Sequence, residues 1–328
     1  MMRTALLGIV GLLALSAATL AQDSSQTGEE QTQRTMIDAA TLQSIRDRAL
    51  AMVNEARAEH GLGALQAGDA LNNAAQQHAE DMLDRGYYSH VSPDGETVDD
   101  RYHEQGGSRW ERVAENIGTC EGCAPPPALE TVERFQRGWM NSPDHRKNIL
   151  MEGLDTFGFG IAGDKDRLYA VQTFAGPGMP VGLTPGEEAV ALSTDQQIDR
   201  ALEGLNRARE RAGLDALAHG AALSEVARKL LSRSSADDLI DPPDDLFALL
   251  PEDSASSWER LYVLAAACGG CGTRPTAADI RHFTDQWSDG QAVLRDDVSH
   301  VGFAMQANGD GRKVAVAVLG EPRGQQAR

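Results

Sequence analysis

Two histidines and a glutamate, far apart in the chain, have the side chains best suited to chemistry: His90, Glu115 and His145. His145 lies in W-M-N-S-P-D-H-R-K-N-I-L at 139–150, which reads as the last turn of one helix, a break, and the first turns of another. Ser142 suits the N-cap and Pro143 the first helical position, where its missing N–H costs nothing, so His145 takes the third. The positive helix end disfavours protonation there and predicts a neutral imidazole, able to accept a hydrogen bond or bind a metal. Two neutral imidazoles and one carboxylate can bind a divalent transition metal, zinc first, with one position open to water. His90 and His145 would then be ligands, and Glu115 a third ligand or the general base, of a metal-dependent extracellular hydrolase or peptidase. The H-E-x-x-H spacing is absent, however. A serine mechanism would pair Ser89 or Ser142 with a histidine and Glu115, but there is no G-x-S-x-G elbow and Ser142 is better used as a cap.

These residues must be positioned by the elements around them. Apolar residues at Ile45, Ala49, Met52, Val53 and Ala56 predict a helix from Leu42 that stops at Gly61. Asp69 is read as the cap of a second helix burying Leu71, Ala74, Ala75, His78 and Met82, with Gly86 as its stop. His78 on that inner face is expected to be a hydrogen-bonded core residue. Y-Y-S-H-V-S-P-D-G at 87–95 then sets His90 on a loop ahead of a Pro-Asp-Gly turn. Glu115 sits among Val113, Ala114 and Ile117, so its carboxylate is half-buried and needs a partner. A third helix with Leu129, Val132, Phe135 and Trp139 inward leads to the His145 segment. Alternation at Phe157, Phe159 and Ile161, and again over 168–174, predicts a β-hairpin turning at Gly163-Asp164.

The amino end has one cation at Arg3, an apolar run and small residues before a plausible cut after Ala21, the pattern of a signal peptide (1–21) and of a secreted or periplasmic protein. Cutting there leaves 29 basic residues against 49 acidic ones, which argues against a nucleic-acid partner. No later stretch is apolar enough to span a membrane. Polar residues 22–40 read as a flexible lead-in, 41–178 as a first domain, 179–195 as a linker, 196–322 as a second domain and 323–328 as a tail.

The second domain repeats the first. R-A-L-A-M-V-N-E-A-R-A-E-H-G-L-G-A-L from Arg48 returns as R-A-L-E-G-L-N-R-A-R-E-R-A-G-L-D-A-L from Arg200, an offset of 152. Trp110, the C-E-G-C at Cys120 and Trp139 return at Trp258, Cys268 and Trp287, each offset by 148. At that offset Glu115 becomes Val263 and His145 becomes Val293, and the loop that carried His90 becomes an acidic one at 234–245. Three residues lost together point to one shared site. The C-x-x-C pairs survive in both copies and read as structural: in an exported protein each closes a local disulfide, Cys120 to Cys123 and Cys268 to Cys271, with a redox pair or a four-cysteine zinc site as alternatives.

N-E-A-R at 54–57, S-H-V-S-P-D-G at 89–95, A-E-N-I at 114–117, the 139–150 stretch and G-F-G at 158–160 form an ordered set that resembles the CAP superfamily. That superfamily unites cysteine-rich secretory proteins, venom antigens and plant pathogenesis-related proteins, and this set is most similar to its bacterial branch. The resemblance runs from Ser44 to about Gly176 and implies an α+β fold: an α-β-α three-layer sandwich, here in tandem with a degenerate second copy. It implies a cleft with two histidines and acidic residues, at positions matched by His90, Glu115 and His145, and an association with sterols and other lipids seen in some relatives, so the reading favoured here is a binding cleft for a small apolar molecule or an extracellular protein partner. The second glutamate of many eukaryotic relatives is replaced by Ser142, which weakens a metal site by one anionic ligand.

Overall fold

The computed structural model describes residues 37–184, 186–235 and 239–324. The signal-peptide reading, most of the lead-in, the last residues of the tail, and Asp237 and Asp238 of the acidic loop lie outside them.

In the first half, helix α1 (Ala39–Glu59) starts three residues before Leu42, because the Asp38 carboxylate accepts from the amides of Ala40 and Thr41. Strand β1 (Gln66–Ala67) leads into α2 (Asp69–Arg85). Gly68, not Asp69, is the N-cap; Asp69 is the first helical residue, where its charge faces the positive helix end. Then follow α3 (Val98–Glu104), β2 (Arg112–Glu121), α4 (Leu129–Asn141), α5 (Pro143–Ile149), β3 (Thr156–Gly163) and β4 (Arg167–Gly176). The sheet order is β1-β3-β4-β2, with β1 parallel to β3 and the other pairings antiparallel.

Both faces of this sheet are covered. Phe157, Phe159, Ile161, Leu168 and Phe174 pack against Ile45 and Val53 of α1 and Val132 and Trp139 of α4. Tyr169 and Val171 meet Ala75, Ala79 and Met82 of α2 on the other face. The alternating Gly158 and Gly160 are required by that second contact: a Cβ at either would run into the α2 backbone at Leu71 or Ala75. Leu129, expected inward, is 46% exposed, since it opens α4 before the helix reaches the core.

The second half runs α6 (Thr194–Arg211), β5 (Ala218–His219), α7 (Ala221–Leu231), β6 (Trp258–Cys268), α8 (Ala277–Trp287), β7 (His300–Ala307) and β8 (Lys313–Pro322). Its strand order, β5-β7-β8-β6, has the same arrangement as the first sheet. Val263 pairs with Val318 on β6–β8 as Glu115 pairs with Thr173 on β2–β4. Among the described residues no α-helix stands where α3 and α5 stand in the first half.

A buried arginine corrects the alignment of His145 with Val293. Arg57 donates through Nη1 to the carbonyls of Ile149 and Met151, both at 2.9 Å. Arg209 donates in the same way to Val293 and Arg295, both at 2.7 Å. Val293 therefore stands where Ile149 stands, and the chain between Trp287 and this point is four residues shorter than after Trp139. An ungapped offset cannot show this. His145 has no residue opposite it because the turn of helix that carries it is missing.

The halves meet through the C-G-G-C loop. The Gly270 amide donates to the Trp110 carbonyl and the Gly272 amide to that of Pro177, both at 2.6 Å, and Gly178 forms an antiparallel bridge with Cys271. The Arg312 guanidinium lies 4.5 Å over the Trp110 ring.

Candidate functional site

Strand β2 is the free edge of the first sheet, and its outward carbonyls need donors other than a neighbouring strand. Side chains supply them. Asn148 Nδ2 donates to the Glu115 carbonyl at 3.0 Å, while Trp139 Nε1 and the Tyr88 hydroxyl donate to that of Ile117 at 2.9 and 3.2 Å. Asn116, fully buried, donates to the His145 carbonyl at 3.2 Å and accepts from Asn148 at 2.9 Å. The edge is thereby closed, and the His90 loop and α5 are tied to either side of it.

Glu115 is the centre of the polar cluster and its side chain is 2% exposed. Its Oε2 accepts from Arg101 Nη2 at 2.8 Å and its Oε1 from His90 Nδ1 at 2.8 Å. The carboxylate engages Nδ1 and so orients the His90 ring, whose side chain is 53% exposed. Arg101, fully buried, also donates to the carbonyls of Glu96 and His90, both at 3.1 Å. It neutralises Glu115 and pins the His90 backbone at once. His78 stands behind: its Nε2 donates to the Ser89 carbonyl at 2.9 Å and lies 3.8 Å from Glu115 Oε1. Burial pushes its pKa down, against the pull of Glu115, so it is a neutral core histidine that anchors the residue next to His90.

His145 is half-buried, and its pKa is lowered by that burial first and by the field of His90 second, with Asp144 opposing. Desolvation and a neighbouring histidine thus act in the direction expected from the helix end, toward the neutral imidazole. Ser142 is the N-cap by position and Pro143 follows it, yet the Ser142 hydroxyl makes no cap hydrogen bond. Beside His145 opens a cleft of about 470 Å³ lined by Tyr88, Ile117, Phe135, Trp139 and Ser142 among others.

The structure thus joins Glu115 directly to His90 and puts His145 within the electrostatic reach of His90. Sequence reasoning missed Arg101, a lone arginine in D-D-R-Y-H whose partner lies 14 residues away, and the part His78 plays beside Glu115. The four cysteines pair as expected, Cys120 with Cys123 and Cys268 with Cys271.

A three-ligand metal centre does not fit these residues. Both Glu115 oxygens already serve His90 and Arg101, and among the described residues no group of three or more His, Cys, Asp or Glu is arranged to hold a metal ion. A serine mechanism finds no support either, since among the described residues neither the Ser89 nor the Ser142 hydroxyl hydrogen-bonds a histidine.

Residues 50–174 match the model of the cysteine-rich secretory protein family, CAP. The chain is 34% identical over 127 residues to the uncharacterized membrane protein YlbC of Bacillus subtilis, a stretch that is 38% of this chain and 32% of that protein. It is 29% identical over 131 residues to the uncharacterized protein YkwD of the same organism, 40% of this chain and 48% of that one. The chain therefore spans about a third and about half of these relatives. An extracellular SCP-domain protein of Bacillus anthracis aligns in structure with 27% identity and a TM-score of 0.35, covering 43% of this chain and 44% of its own. Residues 50–174 are thus similar to the CAP domain of the cysteine-rich secretory protein family, and within that stretch Glu115 of β2 is bonded to His90 of the preceding loop.

Proposed function

We propose that this is a secreted CAP-domain protein whose first-half cleft binds an apolar ligand, with His145 lining the cleft and His90 acting on it from beside His145, and that its second half is a degenerate copy kept as a scaffold. The observation that carries the binding reading is the saturation of Glu115: held by Arg101 and His90, the carboxylate is neither a free base nor a free ligand. It orients His90 instead. The apolar walls of the adjacent cleft then supply affinity through burial, and His145, which lines it, supplies selectivity for a polar end group. A divalent cation, zinc first, would have only His90 Nε2 and His145 as protein donors, with water completing its shell; that is a weak site, and no chemical step is routed through it.

Gly138 offers a clean test, because it lines the cleft and a Cβ there meets nothing within 4 Å. Gly138→Leu is expected to fill the cleft, lower the affinity for a fluorescent long-chain fatty acid or sterol by about tenfold or more, and leave the melting temperature unchanged or raised. His145→Ala is expected to abolish calorimetric heat from added zinc while changing apolar-probe affinity less than about threefold. Equal probe binding by wild type and Gly138→Leu would overturn the assignment of the cleft. Ester or peptide hydrolysis lost in His145→Ala would favour the hydrolase instead.

A further inference from the structure

The two C-x-x-C loops share a motif but not a setting. Cys271 is 3% exposed and locked in the junction between the halves by the Gly270, Gly272 and Gly178 contacts. Cys120 and Cys123 are half-exposed on the surface of the first half. Cys120 also lines the cleft that His145 lines. Arg134 of α4, in the same cleft, aims one guanidinium nitrogen at both sulfurs: Nη2 is 2.6 Å from Cys123 Sγ and 3.0 Å from Cys120 Sγ. A neutral disulfide gains little from a cation at that distance. A thiolate gains much, because the charged form of a cysteine is stabilised by an adjacent arginine.

From this juxtaposition we propose that Cys120–Cys123 is a thiol–disulfide exchange site, with Arg134 as its thiolate-holding residue, and that small thiols or dithiols are its redox partners. The thiolate of the partner, entering along the cleft, attacks Cys120 Sγ; the Cys120–Cys123 bond breaks and a mixed disulfide forms. Cys123 leaves as the thiolate, nearer to Arg134 of the two. A second thiolate then attacks the partner's sulfur in the mixed disulfide, forming the partner's disulfide and releasing Cys120. Two thiols are oxidised, the protein pair gains two electrons, and of the two protons the thiols give up one goes to Cys120 and one to solvent. Cys268–Cys271, with Cys271 buried in the junction, stays closed.

The full-length oxidised protein, equilibrated in a glutathione redox series, quenched with acid and alkylated with a maleimide, reports each loop separately by peptide mass spectrometry. Cys120–Cys123 is expected to reach half reduction in a buffer at least ~10-fold less reducing than Cys268–Cys271 requires, about 30 mV for a two-electron couple. Arg134→Ala is expected to shift the first pair alone toward the disulfide by ~3- to 10-fold, and to slow alkylation of reduced Cys123 by iodoacetamide below neutral pH. Arg134→Lys should restore most of both. Opening of the two pairs in the same buffer, or an Arg134→Ala variant whose equilibrium and alkylation rate equal those of wild type, would overturn the proposal.

Discussion

Arg101→Ala is expected to lower folding stability by about 3–5 kcal/mol, the cost of leaving a buried charge without its partner. Glu115 would keep only His90 on an otherwise solvent-excluded carboxylate, and the carbonyls of Glu96 and His90 would lose their donors. The distinguishing control is Arg101→Met combined with Glu115→Leu. Apolar residues of similar volume often replace a buried ion pair at little cost, so the double variant should recover most of the loss in urea titrations while the rim chemistry at His90 is destroyed. A loss below about 1 kcal/mol for Arg101→Ala would mean that the pair is solvated, against the burial seen here.

Arg57→Ala and Arg209→Ala are expected to cost about 3–4 kcal/mol each, and by the same mechanism. Each arginine is nearly inaccessible and each ties a loop to the first helix of its half: Arg57 to Gly63, Ile149 and Met151, Arg209 to Asp215, Val293, Arg295 and Val298. Removing either side chain strands buried carbonyls that no water can reach. Matching losses in the two halves, measured by denaturant unfolding, would support their common construction. A large effect at Arg57 beside a negligible one at Arg209 would contradict the four-residue shortening inferred around Val293.

The chain made much of this readable. His90, Glu115 and His145 stood out by residue type and by their joint disappearance from the second copy, and Glu115 and His90 are indeed bonded. The hairpin and α2 followed from their periodicity, because alternation and a 3.6-residue stripe report burial on one side. Strand β2 did not declare itself: R-V-A-E-N-I-G is covered on both faces and at its edge, so it lacks the polar–apolar alternation of a half-solvated strand. Arg101 was invisible for a related reason, since a charged residue in a short helix reads as surface until a buried carboxylate is placed beside it. Val293 was aligned with His145 because a fixed offset carries no information about a deletion, whereas the carbonyls chosen by Arg209 do.

The central claim is that His90 and His145, 55 residues apart in sequence, face one site. Proton NMR titration of the His145 ring in wild type and in His90→Gln measures this directly. Burial and the nearby His90 both disfavour the imidazolium, so His145 should titrate below the ordinary histidine value near 6.5 in wild type. With His90 replaced by a neutral side chain, one of those two causes is gone and the midpoint should rise while remaining below that value, burial being the larger cause. The accompanying change in ring chemical shift should be absent in a surface control such as His282→Gln. A His145 titration curve that is the same with and without His90 would contradict a common site.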